Sequence, residues 1–226
     1  MAHFQKWQYT VTMLGKPKYT STGRFKAALV IFSFMGQVAW VVENMYFNVF
    51  IYKMFSASAA DISVMVGASA VTAAVTTLFV GCFSDVAKKR RIFICLGYIL
   101  WGISILSFAL IKPEYLYSIT GSVTAAASLG VSLVIVMDCV MTFFGSSAND
   151  ACFNAWLTDC GADGNRGAIE GINSMMPLVA IIAVFGSFMA FNLDDSSSWT
   201  WIYIIIGVAV VLIGVSGFFL VEDCIK

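Results

Sequence analysis

Three carboxylates sit in stretches whose neighbours are apolar enough for lipid. Glu43 interrupts the run at 27–52, and Asp138 and Asp150 fall within the weakly apolar stretch 115–157. An ionised side chain at the bilayer centre costs about 2.5–3.5 kcal/mol on insertion scales, so such groups face a cavity or a partner. No Lys or Arg lies mid-run to neutralise them. Acids without an internal cation call for one from outside, a proton or a sodium ion, or else hold a proton of their own. That chemistry is ion coupling. Catalysis would need other residues: the only histidine is His3, ahead of the first apolar run. The six cysteines (Cys82, Cys95, Cys139, Cys152, Cys160, Cys224) contain no Cys-x-x-Cys pair. Zinc or haem ligation, a bound cofactor and a nucleophile–base pair are therefore not expected. The cysteines read as small hydrophobes, with no disulfide framework.

Amides accompany the acids. At about 100° per residue, Gln37, Asn44 and Asn48 fall within an arc of about 40°, edged by Trp40 and Phe47, with Glu43 about 100° from Asn44. Such a stripe can hydrogen-bond a hydroxylated solute while a ring stacks on its apolar face. It can equally bond a neighbouring helix, and the residues alone leave both readings open. Further along, Asp138, Gly145 and Asn149 share one helical face, and Ser147, Asp150 and Asn154 another. A helix polar on more than one side belongs at the centre of a bundle. Glu43 and Asp138 are expected at similar depth, nearer the outer surface, with Asp150 closer to the cytoplasm.

The elements that must position these residues are membrane helices. The chain is 60% hydrophobic and 12% charged, against about 25% charged in soluble domains. At about 20 apolar residues per crossing, candidate spans are 27–52, 62–83, 92–111, a fourth ending near Trp156, 168–191 and 199–221. The fourth region is too long for one crossing and admits either one span at 131–156 or two. Pro177 suggests a kink or local unwinding in the fifth span. Gly207, Gly214 and Gly217 would admit a close neighbour in the sixth, and Trp199, Trp201 and Tyr203 suit an interface belt. With six spans, eleven of the thirteen Lys and Arg residues fall on one side, leaving Lys53 and Lys112 on the other. The excess marks the cytoplasmic side. It places both termini there, with a tail at 1–26, a bundle at 27–221 and the start of a cytoplasmic loop at 222–226. Residues 1–24 show no secretory signal pattern.

Gly81, Ser84 and Asp85, followed by Lys88, Lys89, Arg90 and Arg91, resemble the loop between the second and third helices of major facilitator superfamily transporters. Gly36-Gln37-x-x-Trp40-x-x-Glu43 is similar to the first helix of glycoside–pentoside–hexuronide cation symporters and sucrose-type carriers. Asn149-Asp150-x-x-x-Asn154-Ala155-Trp156-x-Thr158-Asp159, then Asn165-Arg166-Gly167, resembles their fourth helix and following loop. The resemblance spans nearly the whole chain as the first half of a twelve-span carrier. It implies half of a major facilitator fold, alternating access, a solute site between halves, and coupling to H⁺ or Na⁺. On that basis Gln37, Trp40, Asn44, Asn48, Asn149 and Asn154 are candidate solute ligands, and Glu43, Asp138 and Asp150 candidate coupling groups. Asp85, with Gly81, Arg90, Arg91 and Arg166, is a candidate conformational latch.

The expected protein is thus a multi-pass inner (plasma) membrane carrier half. Its partners would be a sugar or other small polar solute, the bilayer and a second six-helix half, with no role for nucleic acid. An accessory membrane subunit and an exporter of a non-sugar solute are the alternatives. Glue between helices needs only Ser, Thr and Asn, so the carboxylates favour transport.

Overall fold

The computed structural model describes residues 23–161 and 165–224. Six helices in it are long and apolar enough to cross a membrane: Gly23–Phe55, Ala59–Ala87, Arg90–Phe108, Val123–Cys160, Arg166–Phe188 and Ser196–Leu220, here the first to sixth spans. The described residues contain no strand. Residues 1–22 of the expected tail and 225–226 of the terminal segment lie outside the described residues, and the first helix begins at Gly23, inside the expected tail.

The long fourth region holds one crossing. Pro113 opens a short helix, Pro113–Thr120, at its first position, where the missing N–H has no partner to lose. Gly121 closes it in the left-handed region (φ 65°), its N–H donating to the Tyr117 carbonyl. From Val123 the chain then runs helically for 38 residues without a reversal. Two spans would need a turn that this segment does not have. The second span starts on a capping box. The Ser58 hydroxyl accepts from the Asp61 N–H, and the Asp61 carboxylate accepts from the Ser58 N–H.

The third and sixth spans pack closely along a glycine seam. A Cβ on Gly102 would meet the Gly207 carbonyl oxygen at 2.7 Å, and one on Gly214 would meet the Ile99 nitrogen at 2.8 Å. The sixth-span glycines thus admit the neighbour expected of them. Far from the basic cluster, Phe47, Phe50, Phe108, Trp199 and Tyr203 form an aromatic core, with Phe47 and Phe108 centroids 4.4 Å apart. Trp199 and Tyr203 belong to this core and not to an interface belt; of the three aromatics proposed for that belt only Trp201 is exposed. The Trp199 indole is satisfied inside, donating to the Leu193 carbonyl at 2.9 Å. The fifth span stays helical through Pro177. One expectation about the cysteines fails: Cys160 and Cys224 are joined by a disulfide. They stand 64 residues apart, so only the return of the sixth span beside the end of the fourth brings them together.

Candidate functional site

Local unwinding occurs in the two polar helices, at the polar residues themselves. Val42–Tyr46 in the first span and Ser146–Phe153 in the fourth are π-helical turns. Such turns are frequent at functional sites. Each widens the helix locally and rotates the residues beyond it, so faces counted at 100° per residue do not continue across them.

Glu43 lies in the first of these turns and is only 6% exposed. Its Oε1 faces the Thr142 hydroxyl of the fourth span at 2.6 Å, and that hydroxyl also lies 2.8 Å from the Asp138 carbonyl. The hydroxyl has one proton for two acceptors. Asp138, 2% exposed, lies one helical turn before Thr142; Ser69 of the second span approaches its carboxylate. Glu43 Oε2 and Asp138 Oδ1 are buried and accept no hydrogen bond among the described residues. Leaving a buried acceptor unmet costs about 1–3 kcal/mol. The ion pairs among the described residues all lie at the ends of the bundle, and none involves Glu43, Asp138 or Asp150.

A second cluster surrounds Asn149, which is 3% exposed. Its Oδ1 accepts from the Tyr98 hydroxyl of the third span at 2.8 Å, and its Nδ2 donates to Asp150 Oδ1 at 3.2 Å. Gly36 makes this approach possible: a Cβ there would come within 2.4 Å of Asn149 Oδ1. Trp40 approaches the Asp150 carboxylate and packs on Trp101, centroids 5.2 Å apart. A looser amide chain ties in the fifth span. Ser33 Oγ donates to Asn173 Oδ1 at 2.7 Å, Asn173 Nδ2 to Asn154 Oδ1 at 3.4 Å, and Asn154 Nδ2 to the Asp150 carbonyl at 3.4 Å.

The amide stripe of the first span is only partly gathered. Gln37 is half-buried. Asn44 and Asn48 donate to the carbonyls of Trp40 and Asn44 on their own helix, each at 2.8 Å. Their oxygens remain as acceptors; that of Asn48 is buried and unpartnered among the described residues. Thr142, Tyr98, Ser33 and Asn173 were not among the sequence candidates. Thr142 carried a signal, four residues after Asp138 and so on the same face. Tyr98 and Asn173 carried only their polarity within apolar runs. An apolar cavity of about 240 Å³ between the first, fifth and sixth spans, lined by Phe34, Val38 and Phe188 among others, lies apart from these groups.

At the basic end, Arg90 is 7% exposed and its guanidinium bridges Asp85 at 2.7 Å and Asp159 at 2.5 Å. Asp85 lies in the last turn of the second span and Asp159 in that of the fourth, so this arginine, which opens the third span, joins the ends of both. Arg91 turns elsewhere: its N–H donates to Asp223 Oδ1 at 2.9 Å and its guanidinium to the Phe218 carbonyl. Gly81 has open space where a Cβ would be, and Arg166, at the start of the fifth span, is exposed and makes no ion pair among the described residues.

Residues 27–223 match the Major Facilitator Superfamily. The chain belongs to that superfamily. No curated protein and no solved structure matches it significantly. Six apolar spans in this family make the chain an integral multi-pass membrane protein of a transporter superfamily, with the fold of one major facilitator half. Within that half, the first and fourth spans adjoin at Glu43 and Thr142 and carry every candidate solute and coupling residue.

Proposed function

We propose that this chain is one half of a secondary active transporter that moves a sugar or another small polar solute by alternating access, coupled to H⁺ or Na⁺. The observation that carries it is the pair Glu43 and Asp138, with oxygens buried and unmet and no fixed cation beside them. Holding two such acids in lipid is costly unless a mobile cation visits them. Gln37, Trp40, Asn149 and Asn154, with the free oxygens of Asn44 and Asn48, would then receive the solute, and Asp150 would link the two clusters. The resemblance to sugar–cation symporters supports the solute class.

A second six-helix half completes the carrier. Asn44 and Asn154 are exposed on the bundle, and exposed amides are poorly suited to hydrocarbon. The second and fifth spans are buried for only 11% and 17% of their apolar windows, against 61% for the first. The basic end faces the cytoplasm, following the charge asymmetry, and the membrane is the plasma membrane. Asp85, Arg90 and Asp159 form a latch that opens as the halves rock.

The test is uptake of a labelled sugar panel into proteoliposomes under an imposed proton or sodium gradient. Glu43→Gln and Asp138→Asn should each abolish uphill accumulation while leaving solute exchange at equal ion concentrations. Wild-type accumulation in both variants would remove the coupling role.

A further inference from the structure

The basic end carries a cysteine pair that solute coupling does not use. Cys160 is the last residue of the fourth span, and Cys224 follows the sixth by four residues. Their Cα atoms are 5.3 Å apart, inside the range a disulfide spans. Non-covalent ties surround the bond. The Trp156 indole donates to the Glu222 carbonyl at 2.7 Å, Asp223 accepts from the Arg91 N–H, and Glu222 pairs with Arg24 at 3.5 Å. The segment leaving the sixth span is thereby strapped to the first, third and fourth. Beside Cys160, Asp159 holds Arg90.

The compartment makes this pair informative. The step rests on the orientation proposed above, which puts the basic end in the cytoplasm. Cytoplasmic thiols are kept reduced, and the disulfides that do form there are mostly transient or redox-sensing. The other described cysteines, Cys82, Cys95, Cys139 and Cys152, are free. Among the described residues, pairing is confined to the end of the fourth span and the segment leaving the sixth. The geometry points to a thiol–disulfide switch, in which Cys160 and Cys224 bond reversibly and the oxidised form clamps the end of the fourth span to the segment leaving the sixth.

The exchange balances with a low-molecular-weight disulfide of the glutathione class as oxidant. Cys224 is partly exposed and Cys160 fully buried, so Cys224 reacts first. Its thiolate attacks one sulfur of the small disulfide, releasing one small thiolate and leaving a mixed disulfide. The Cys160 thiolate then attacks Cys224 Sγ and expels the second. Two protein thiols are oxidised, one small disulfide is reduced, and the two departing thiolates take up the two protons. Reduced small thiol reverses the sequence. Because the clamped helix bears Asp138, Asn149 and Asp150, oxidation slows the movement that carries the candidate site between states.

The experiment equilibrates the purified full chain in glutathione buffers of graded ratio, blocks free thiols, maps the peptides by mass spectrometry and follows hydrogen exchange over 154–160. The Cys160–Cys224 cross-linked peptide should rise with the oxidised fraction and vanish on return to reducing buffer. Exchange over 154–160 should be several-fold slower in the oxidised protein, and Cys224→Ser should abolish that redox dependence. A pair that stays reduced at every ratio, or bonded at every ratio, overturns the switch, as does exchange that is equal in the two forms. These wild-type comparisons need no variant. Labelling of Lys88 and Lys89 by an impermeant amine reagent in intact cells would place the pair outside and sink the switch, without touching the Glu43 result.

Discussion

Gly36→Ala tests whether the first, third and fourth spans meet as described. The added methyl would lie 2.4 Å from Asn149 Oδ1, 2.8 Å from the Tyr98 hydroxyl and 2.9 Å from Asn149 Cγ. Ordinary contact begins near 3.5 Å, so the amide must retreat by about 1 Å in a site where Asn149 and Tyr98 are both buried. That retreat breaks the 2.8 Å bond from Tyr98 and disturbs the 3.2 Å bond to Asp150. Overpacking costs about 1–3 kcal/mol, and the lost hydrogen bond adds about 1 kcal/mol. Gly186→Ala is the control, because nothing lies within 4 Å of a Cβ there and alanine favours the helix interior. The assay is thermal unfolding of the full chain in detergent, followed by tryptophan fluorescence. Gly36→Ala should unfold at a clearly lower temperature than Gly186→Ala. Tyr98→Phe removes the same hydroxyl, so the double variant with Gly36→Ala should lose less than the sum of the two. Equal unfolding temperatures for the two alanine variants, with additive losses in the double variant, would refute the Gly36–Asn149–Tyr98 contact.

Arg90→Ala should lower stability by about 1–2 kcal/mol, between an exposed pair and a fully buried one, since Arg90 is buried but Asp85 and Asp159 keep contact with solvent. Arg90→Lys should recover only part of this, because an ammonium cannot reproduce the guanidinium fork between two acids. If the alanine variant matches wild type in stability and in rate of solute exchange, the latch has no energetic content. Gly102→Ala should cost about 1–3 kcal/mol at the third–sixth seam. There the new methyl meets the Gly207 carbonyl and the Val211 nitrogen, backbone atoms that cannot rotate aside. An unchanged melting temperature would show the seam to be looser than described.

What sequence alone determined here is set by local rules. A window of about 20 apolar residues is long enough to span hydrocarbon, so a polytopic all-α fold came from composition along the chain. The choice between one crossing and two in the fourth region waited for the unbroken helix Val123–Cys160. Glu43, Asp138 and Asp150 stood out for the same reason, as ionisable groups among apolar neighbours. Gly207, Gly214 and Gly217 predicted close packing because a missing Cβ is visible in any sequence. What only the tertiary structure decided depends on phase and on distant partners. The π-helical turns at Val42–Tyr46 and Ser146–Phe153 rotate the polar faces away from a uniform helical count, so the amide stripe is less continuous than about 100° per residue implies. Thr142 meets Glu43 across 99 residues and Asn173 meets Ser33 across 140; neither pairing leaves a mark on local spacing. Trp199 and Tyr203 fitted a membrane interface by type, yet the neighbouring Phe47, Phe50 and Phe108 took them into the core. Cys160 and Cys224 read singly as small apolar residues, and became a pair only when the end of the fourth helix and the exit of the sixth came to lie side by side.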